Sequence, residues 1–300
     1  MEAAVQQTAK RARPLAGTTV GIPPRQLDFT LPAQGQRYFY DNNATASLFF
    51  AMLSAFFPPG EDYFVESVRH YRKRVTDPKL KAEVSGFIGQ EAIHGREHDR
   101  LNELLSSRGF AMKAPDKAVR AALWVLDQLP QSQKLACTTF MEHFTALLGE
   151  QLLTDELFAR RAEPEMIQLW FWHALEELEH KSVAYDVYDL VGNSRRERIL
   201  AYALVTGTMI PAVLASWGYM LAKEGVFRNP KDIRRGMKLL LGRKGFITRI
   251  LPQMGLFAHK DFHPDKHDTR ALVAKWRNKL FGESGSLASD LRNPEVATVQ

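Results

Sequence analysis

Cysteine is almost absent from this 300-residue chain, with Cys137 as its single example. An internal disulfide and a cysteine-based zinc site are thereby excluded, and a reducing compartment fits. No apolar h-region follows Met1, so secretion is not indicated and a cytoplasmic location is expected. The chain also lacks a glycine-rich phosphate-cradling loop, a flavin fingerprint and a hydrolase nucleophile motif. Without a flavin fingerprint or a cysteine cluster, any redox chemistry needs a separate reductase; without the other two motifs, no particular ester is indicated. No stretch alternates as a strand does, and no solenoid repeat occurs. RNA- and DNA-binding motifs are missing too, and the basic residues behind the +6 formal charge are spread along the chain, so no nucleic-acid partner is expected.

What is present is a globular composition, 45% apolar, sufficient for a large core in one large domain or two ordinary ones. Pro14, Pro23, Pro24 and Pro32 mark residues 1–36 as an extended, loosely ordered arm. Residues 37–192 read as a metal-binding helical bundle, 193–285 as further helices packed on it, and 286–300 as a polar tail. Within the bundle, an apolar helix runs from Asn43 to Phe57 and stops at Pro58-Pro59-Gly60. A second begins at Glu61, with Phe64, Val65, Val68 and Tyr71 on the same face as that acid; Glu66 falls on the polar side. Asp77-Pro78 opens a long helix reaching Arg108, 115–129 is a shorter one, and another spans Ser132 to Phe158. Pro164 begins the last, which continues toward Gly192. Ile199 to Ala222 carries no charge and is long enough to span a bilayer, but Thr206, Gly207, Thr208, Pro211, Ser216 and Gly218 dilute it. A buried helix is expected, with membrane insertion or surface docking as the alternative. His259, His263 and His267 are four apart, but Pro264 breaks any helix that would align them, so a surface loop is expected.

Two Glu-x-x-His steps organise the chain: Glu91/His94 and Glu177/His180. Residues three apart on a helix share a face, so each pair can grip one metal ion. About 0.6 such pairs are expected from composition alone, so the motif gains weight only from context. Both pairs lie on otherwise apolar stripes, and each is preceded by a helix with a core-facing acid. The order is Glu61, Glu91/His94, Glu142, Glu177/His180, which is how four-helix bundles build a dinuclear carboxylate site. Leu135, Thr138, Thr139, Thr145, Ala146 and Gly149 form a seam of mostly small residues that leaves space beside Glu142. Buried carboxylates repel one another unless cations neutralise them. Four carboxylates and two imidazoles suit two transition-metal ions, iron first, with manganese or zinc as alternatives. His98 and His173 lie one turn from ligands and are expected behind them, and Glu176 is a candidate catalytic acid for moving protons.

Four stretches resemble a known family: Phe57-Pro-Pro-Gly-Glu-Asp-Tyr-Phe64, Phe87 to His98 around Gln90-Glu-Ala-Ile-His94, Glu142-His-Phe-Thr-Ala146, and Trp172 to Asp186. Together they are similar to the bacterial predicted metal-dependent hydrolases over most of residues 40–265. The helices also look like the ferritin-like di-iron carboxylate superfamily, an all-α four-helix bundle. That resemblance implies Glu61, Glu91, His94, Glu142, Glu177 and His180 as ligands. Glu61 departs from the pattern, because superfamily ligands lie mid-helix and this one is expected at a helix start.

Three functions follow as expectations. The first is an oxygen-using di-iron oxidoreductase for a small apolar substrate, with Phe87, Phe140, Phe144, Trp170 and Trp172 walling its pocket. The second is two-metal hydrolysis through a bridging water. The third is metal binding without turnover, or a membrane-associated helical protein. Pairing of the long helices would make a homodimer.

Overall fold

Asn43 has an extended backbone, and its side chain accepts from Ala46 N at 2.8 Å, which opens the helix α1 (Ala44–Tyr71). This computed structural model describes residues 16–32 and 35–297. Contrary to the expected break, α1 runs unbroken through Pro58 and Pro59. A proline inside a helix deprives the carbonyl four residues earlier of its N–H partner. For Pro58 that carbonyl is Ser54 O, and it accepts instead from Asn102 Nδ2 of the neighbouring helix at 3.2 Å. The consequence is a relocation of Glu61 from the expected helix start to the interior of a 28-residue helix.

Asp77 caps and Pro78 starts α2 (Pro78–Ser107), followed by α3 (Lys113–Asp127) and α4 (Gln131–Thr154). Asp155 ends α4 one turn before the expected limit by capping the short α5 (Glu156–Arg161). The last bundle helix is two pieces, α6 (Pro164–His180) and α7 (Val183–Leu190), separated by a turn at Lys181-Ser182. Beyond lie α8 (Arg195–Lys223), α9 (Pro230–Leu241), α10 (Leu251–Met254) and α11 (Arg270–Phe281). Helices dominate and no strand forms among the described residues, so the fold is all-α.

Four helices, α1, α2, α4 and α6, surround the interior that holds the acids and imidazoles. Gly149 lets α4 and α6 approach closely, since a Cβ there would lie 2.9 Å from Ala174 O. At Gly149 that seam serves backbone contact, while Thr145 and Gly149 also border a small cavity.

Both chain ends hold on to this core. From the arm, Ile22, Arg25, Leu27 and Phe29 are buried. The expected polar tail buries Leu287, Leu291 and Val296 and pairs with the arm: Leu27 bridges Leu291, and Asp28 N donates to Asp290 O at 2.9 Å. Residues 1–15 and 298–300 of those two segments lie outside the described residues.

The uncharged 199–222 run is helical, but it is not a buried helix. α8 packs Ala201, Val205, Trp217 and Met220 inward and leaves Ile210 and Leu214 51% and 61% exposed. The C-terminal histidines sit in a loop as expected, and two of the three are held by acids rather than by one another. His263 Nε2 is 3.0 Å from Asp186 Oδ1, and His267 Nε2 is 2.8 Å from Glu150 Oε2.

Candidate metal centre

Seven donor side chains converge between the four helices: Glu61 from α1, Glu91 and His94 from α2, Glu142 from α4, and His173, Glu177 and His180 from α6. All are buried, whereas Glu66 is exposed. Donor atoms of Glu61, His94 and His173 lie within 4.8 Å of one another, and so do those of Glu91, Glu177 and His180. Glu142 Oε2 stands 3.6 Å from His180 Nε2. Glu177 joins the two groups: its Oε1 is 2.9 Å from His173, 3.7 Å from His94 and 3.7 Å from His180.

Each imidazole is clamped at one nitrogen and turns the other toward the acids. Gln90 Nε2 donates to Pro23 O and to Glu179 Oε2, so its Oε1 is free to accept from His180 Nδ1 at 2.9 Å. His180 Nε2 is therefore the nitrogen turned toward the acids, and it points at Glu91 Oε1, 3.0 Å away. On the other helix, His94 Nε2 meets Glu176 Oε2 at 3.0 Å, leaving Nδ1 toward Glu91 and Glu177. The arrangement is reciprocal, since the residue before each ligand glutamate orients the histidine of the opposite helix.

A longer relay fixes His173. Asn102 Nδ2 donates to Ser54 O, so Asn102 Oδ1 accepts from Ser54 Oγ at 2.7 Å. Ser54 Oγ then accepts from His98 Nδ1, and His98 Nε2 accepts from His173 Nδ1 at 2.7 Å. His173 Nε2 faces Glu61 and meets Glu177 Oε1 at 2.9 Å. His98 stands behind the donors, as expected; His173 stands among them and enlarges the set to four carboxylates and three imidazoles.

Such a set fits metal ions. Both oxygens of Glu61, Glu91 and Glu142, Glu177 Oε2, His94 Nδ1 and His180 Nε2 are buried without a hydrogen-bond partner. Orphaned buried acceptors are costly unless a cation takes their lone pairs. Burial, with Glu91 and Glu177 nearby, holds the Glu61 and Glu142 carboxyls well above the usual range. Burial also lowers His94 and His98, with His173 adding to both shifts. It opposes charge on His180, but Glu91 and Glu177 outweigh it and raise that imidazole well above its ordinary value.

The linkage sign follows from these directions. In the cation-free site Glu61, Glu142 and His180 hold protons more tightly than they would in water, and ligation must displace those protons. Metal uptake is expected to release protons and to tighten as pH rises. Calorimetric titration in buffers of different ionisation enthalpy checks this; buffer-independent heats would refute it.

Aromatic rings buttress the site more than they wall a pocket. Trp172 and Phe87 set their edges against His94 and His180, at 4.9 and 5.1 Å. Phe140 packs away from the site on Tyr202 and Phe257. A narrow cavity of about 30 Å³ touches His173 and Glu177, and Leu53, Phe57, Leu148, Trp170 and Phe246 are among its walls. A larger one, about 280 Å³, lies under the 253–269 segment and touches none of the seven donors.

The residue that sequence reading missed is Arg25. Its guanidinium, fully buried, joins Glu176 at 2.9 Å and Glu179 at 2.7 Å, and Arg277 meets Glu179 from the other side. Against that pairing, burial still lifts the Glu176 carboxyl to about 8. A lone arginine in a proline-rich arm carries no local signal for this role.

Residues 23–268 match a family model described as Predicted metal-dependent hydrolase. No curated protein and no solved structure matches the chain.

Proposed function

The chain belongs to the predicted metal-dependent hydrolase family, and from that premise we propose a dinuclear metal enzyme that uses oxygen to oxidise a slender, apolar substrate. The observation that carries this reading is the donor set: seven buried side chains, each imidazole clamped at one nitrogen with the other turned toward the acids. Carboxylate-rich sets with imidazole suit iron, with manganese or zinc as alternatives. Ferritin-like carboxylate proteins arrange such donors on four helices in the same way.

When bound, a metal pair supplies either the redox chemistry of oxygen or the Lewis acidity that activates water. The protein's own residues do the rest. Glu61, His94 and His173 would hold one ion and Glu91, Glu142 and His180 the other, with Glu177 between them. Glu176 and Gln90 keep the ligand imidazoles in the binding tautomer. Both Glu176 oxygens are engaged, by Arg25 and His94, so it acts through His94 as a positioning residue rather than as the expected proton carrier. The walls of Leu53, Phe57, Leu148 and Trp170 exclude water beside His173 and offer a polar substrate few partners. That apolar lining favours oxidation over ester hydrolysis.

Hydrolysis is the second reading, favoured by the family description. Anaerobic protein loaded with ferrous iron separates the two. Oxygen uptake with a diferric Mössbauer signature is expected. Retained zinc, ester turnover and no oxygen uptake would overturn the proposal in favour of hydrolysis.

A further inference from the structure

The basic charge of this chain has a location. Between Lys223 and Lys244 there are eight basic and two acidic residues, a net +6 equal to the formal charge of the whole molecule. The remaining residues are therefore balanced, and the excess belongs to the end of α8, to α9 and to the turn after it. Neither acid is available to offset it. Glu224 is held by Arg37 and Tyr38, and Asp232 caps α1 by accepting from Ala44 N and Thr45 N. Arg235 is paired with Asp41. Arg228, Lys231, Arg234, Lys238, Arg243 and Lys244 are exposed, and no ion pair to them occurs among the described residues.

Beside this patch lies an apolar face that the chain leaves uncovered. Leu200, Ala203, Gly207, Ile210, Leu214 and Gly218 recur at three- and four-residue steps along α8 and share one face, opposite the packed Ala201, Val205 and Ala212. The face spans about 27 Å at 1.5 Å per residue and carries no charge. In composition α8 could cross a bilayer, yet only 22% of its most apolar window is buried, unlike the core helix of a globular protein. The two features adjoin. Trp217 Nε1 of α8 donates to Thr45 O, and Gly236 of α9 sits against the side chain of the same Thr45. Tyr219 and Phe227, both exposed, stand where the apolar stripe meets the cations, and Lys223 lies over the Tyr219 ring.

We propose that α8 and α9 form a docking surface for an anionic lipid bilayer, with α8 lying flat in the interface. A spanning orientation is excluded because the opposite side of α8 is packed on α3 and α4 and buries Arg198. An apolar strip bordered by aromatic rings and lysine or arginine matches the acyl boundary and headgroups of such a surface. Nucleic acid would meet the cations but leave the apolar strip in water. A second copy would cover the strip but bring the two +6 patches together. Phe246, two residues beyond Lys244, is also a wall of the cavity beside Glu177, so the docking surface and the metal centre share a segment.

Co-sedimentation of the full chain with vesicles tests the proposal. Binding is expected to phosphatidylcholine vesicles containing phosphatidylglycerol, with little to phosphatidylcholine alone, and to weaken as salt is raised. Two double variants, Ile210→Asp with Leu214→Asp and Arg234→Glu with Lys238→Glu, are each expected to lower partitioning at least about 10-fold. These side chains are exposed or nearly free of partners, so helicity and metal content should be unchanged. Undiminished vesicle binding by both variants, or none by the parent chain, would overturn it. So would a lipid-free dimer by light scattering that Leu214→Asp converts to monomer without vesicle binding, which would assign the face to a second copy. Tighter binding to duplex DNA than to the anionic vesicles would also overturn it.

Discussion

A Glu177→Ala chain is expected to retain well below one metal ion, against two for the parent protein. Glu177 Oε1 is the oxygen that reaches His173, His94 and His180 alike, so its removal takes a donor from both groups. A ligand set that loses its shared member loses both ions, whereas losing a peripheral donor weakens one. The effect extends to stability, because an ion that binds only the folded state stabilises it by about 4 kcal/mol at a thousandfold excess over Kd. For a chain of this size that corresponds to roughly 6 °C in Tm, present in the parent on adding metal and absent in the variant. Elemental analysis and thermal melts with and without metal measure both. Glu66→Ala is the control, since that side chain is exposed. Two metals in Glu177→Ala would show that the seven side chains do not form the centre.

Arg25→Met is expected to destabilise the metal-free protein by about 3–5 kcal/mol, because it strands buried carboxylates whose cation has been removed. Glu179 keeps Arg277, but Glu176 keeps only His94. The damage reaches the metal centre through that contact. With Glu176 unpaired and inclined to hold a proton, His94 loses the acceptor that fixes its tautomer, and metal affinity should fall about 10- to 100-fold. Adding Glu176→Gln removes the stranded charge while keeping an acceptor for His94 Nε2. The double variant should therefore recover part of the lost stability, a coupling that distant sites do not show. Urea unfolding and metal titration read the two effects. A change within about 0.5 kcal/mol would mean that Arg25 is an ordinary surface-like residue.

Much of the candidate site was legible in the chain because helical spacing is a local property. Glu91 and His94, and Glu177 and His180, share faces for reasons that involve no other part of the molecule. The preference for Glu61 over Glu66 rested on the same periodicity, and the structure buries the first and exposes the second. The Gln90-Glu91 and Glu176-Glu177 pairs carried a further local signal, since each places an orienting side chain next to a ligand. His173 was harder, because its role depends on His98, Ser54 and Asn102 from two other helices. Sequence spacing places His173 near the ligands but does not say which of its nitrogens faces the acids.

The break expected at Pro58-Pro59 shows where local rules end. Proline propensity is a statement about an isolated helix, and Asn102 changes the balance by accepting the role of the missing N–H. The arm and tail teach the same point, for Arg25 and Leu291 are unremarkable until the partners that bury them are known. Likewise the uncharged run of α8 could be called apolar from composition, but which of its faces meets the protein required the packing of Trp217 and Ala201.

By itself, then, the sequence determined that the chain is helical and that acids and imidazoles repeat on helix faces turned inward, since both follow from the 3.6-residue period and the cost of exposing apolar surface. Only the tertiary structure decided that seven donors meet, which nitrogen of each histidine faces the acids, and that Arg25 closes the network. Those are contacts between residues up to 154 positions apart, and no local preference encodes a pairing at that separation.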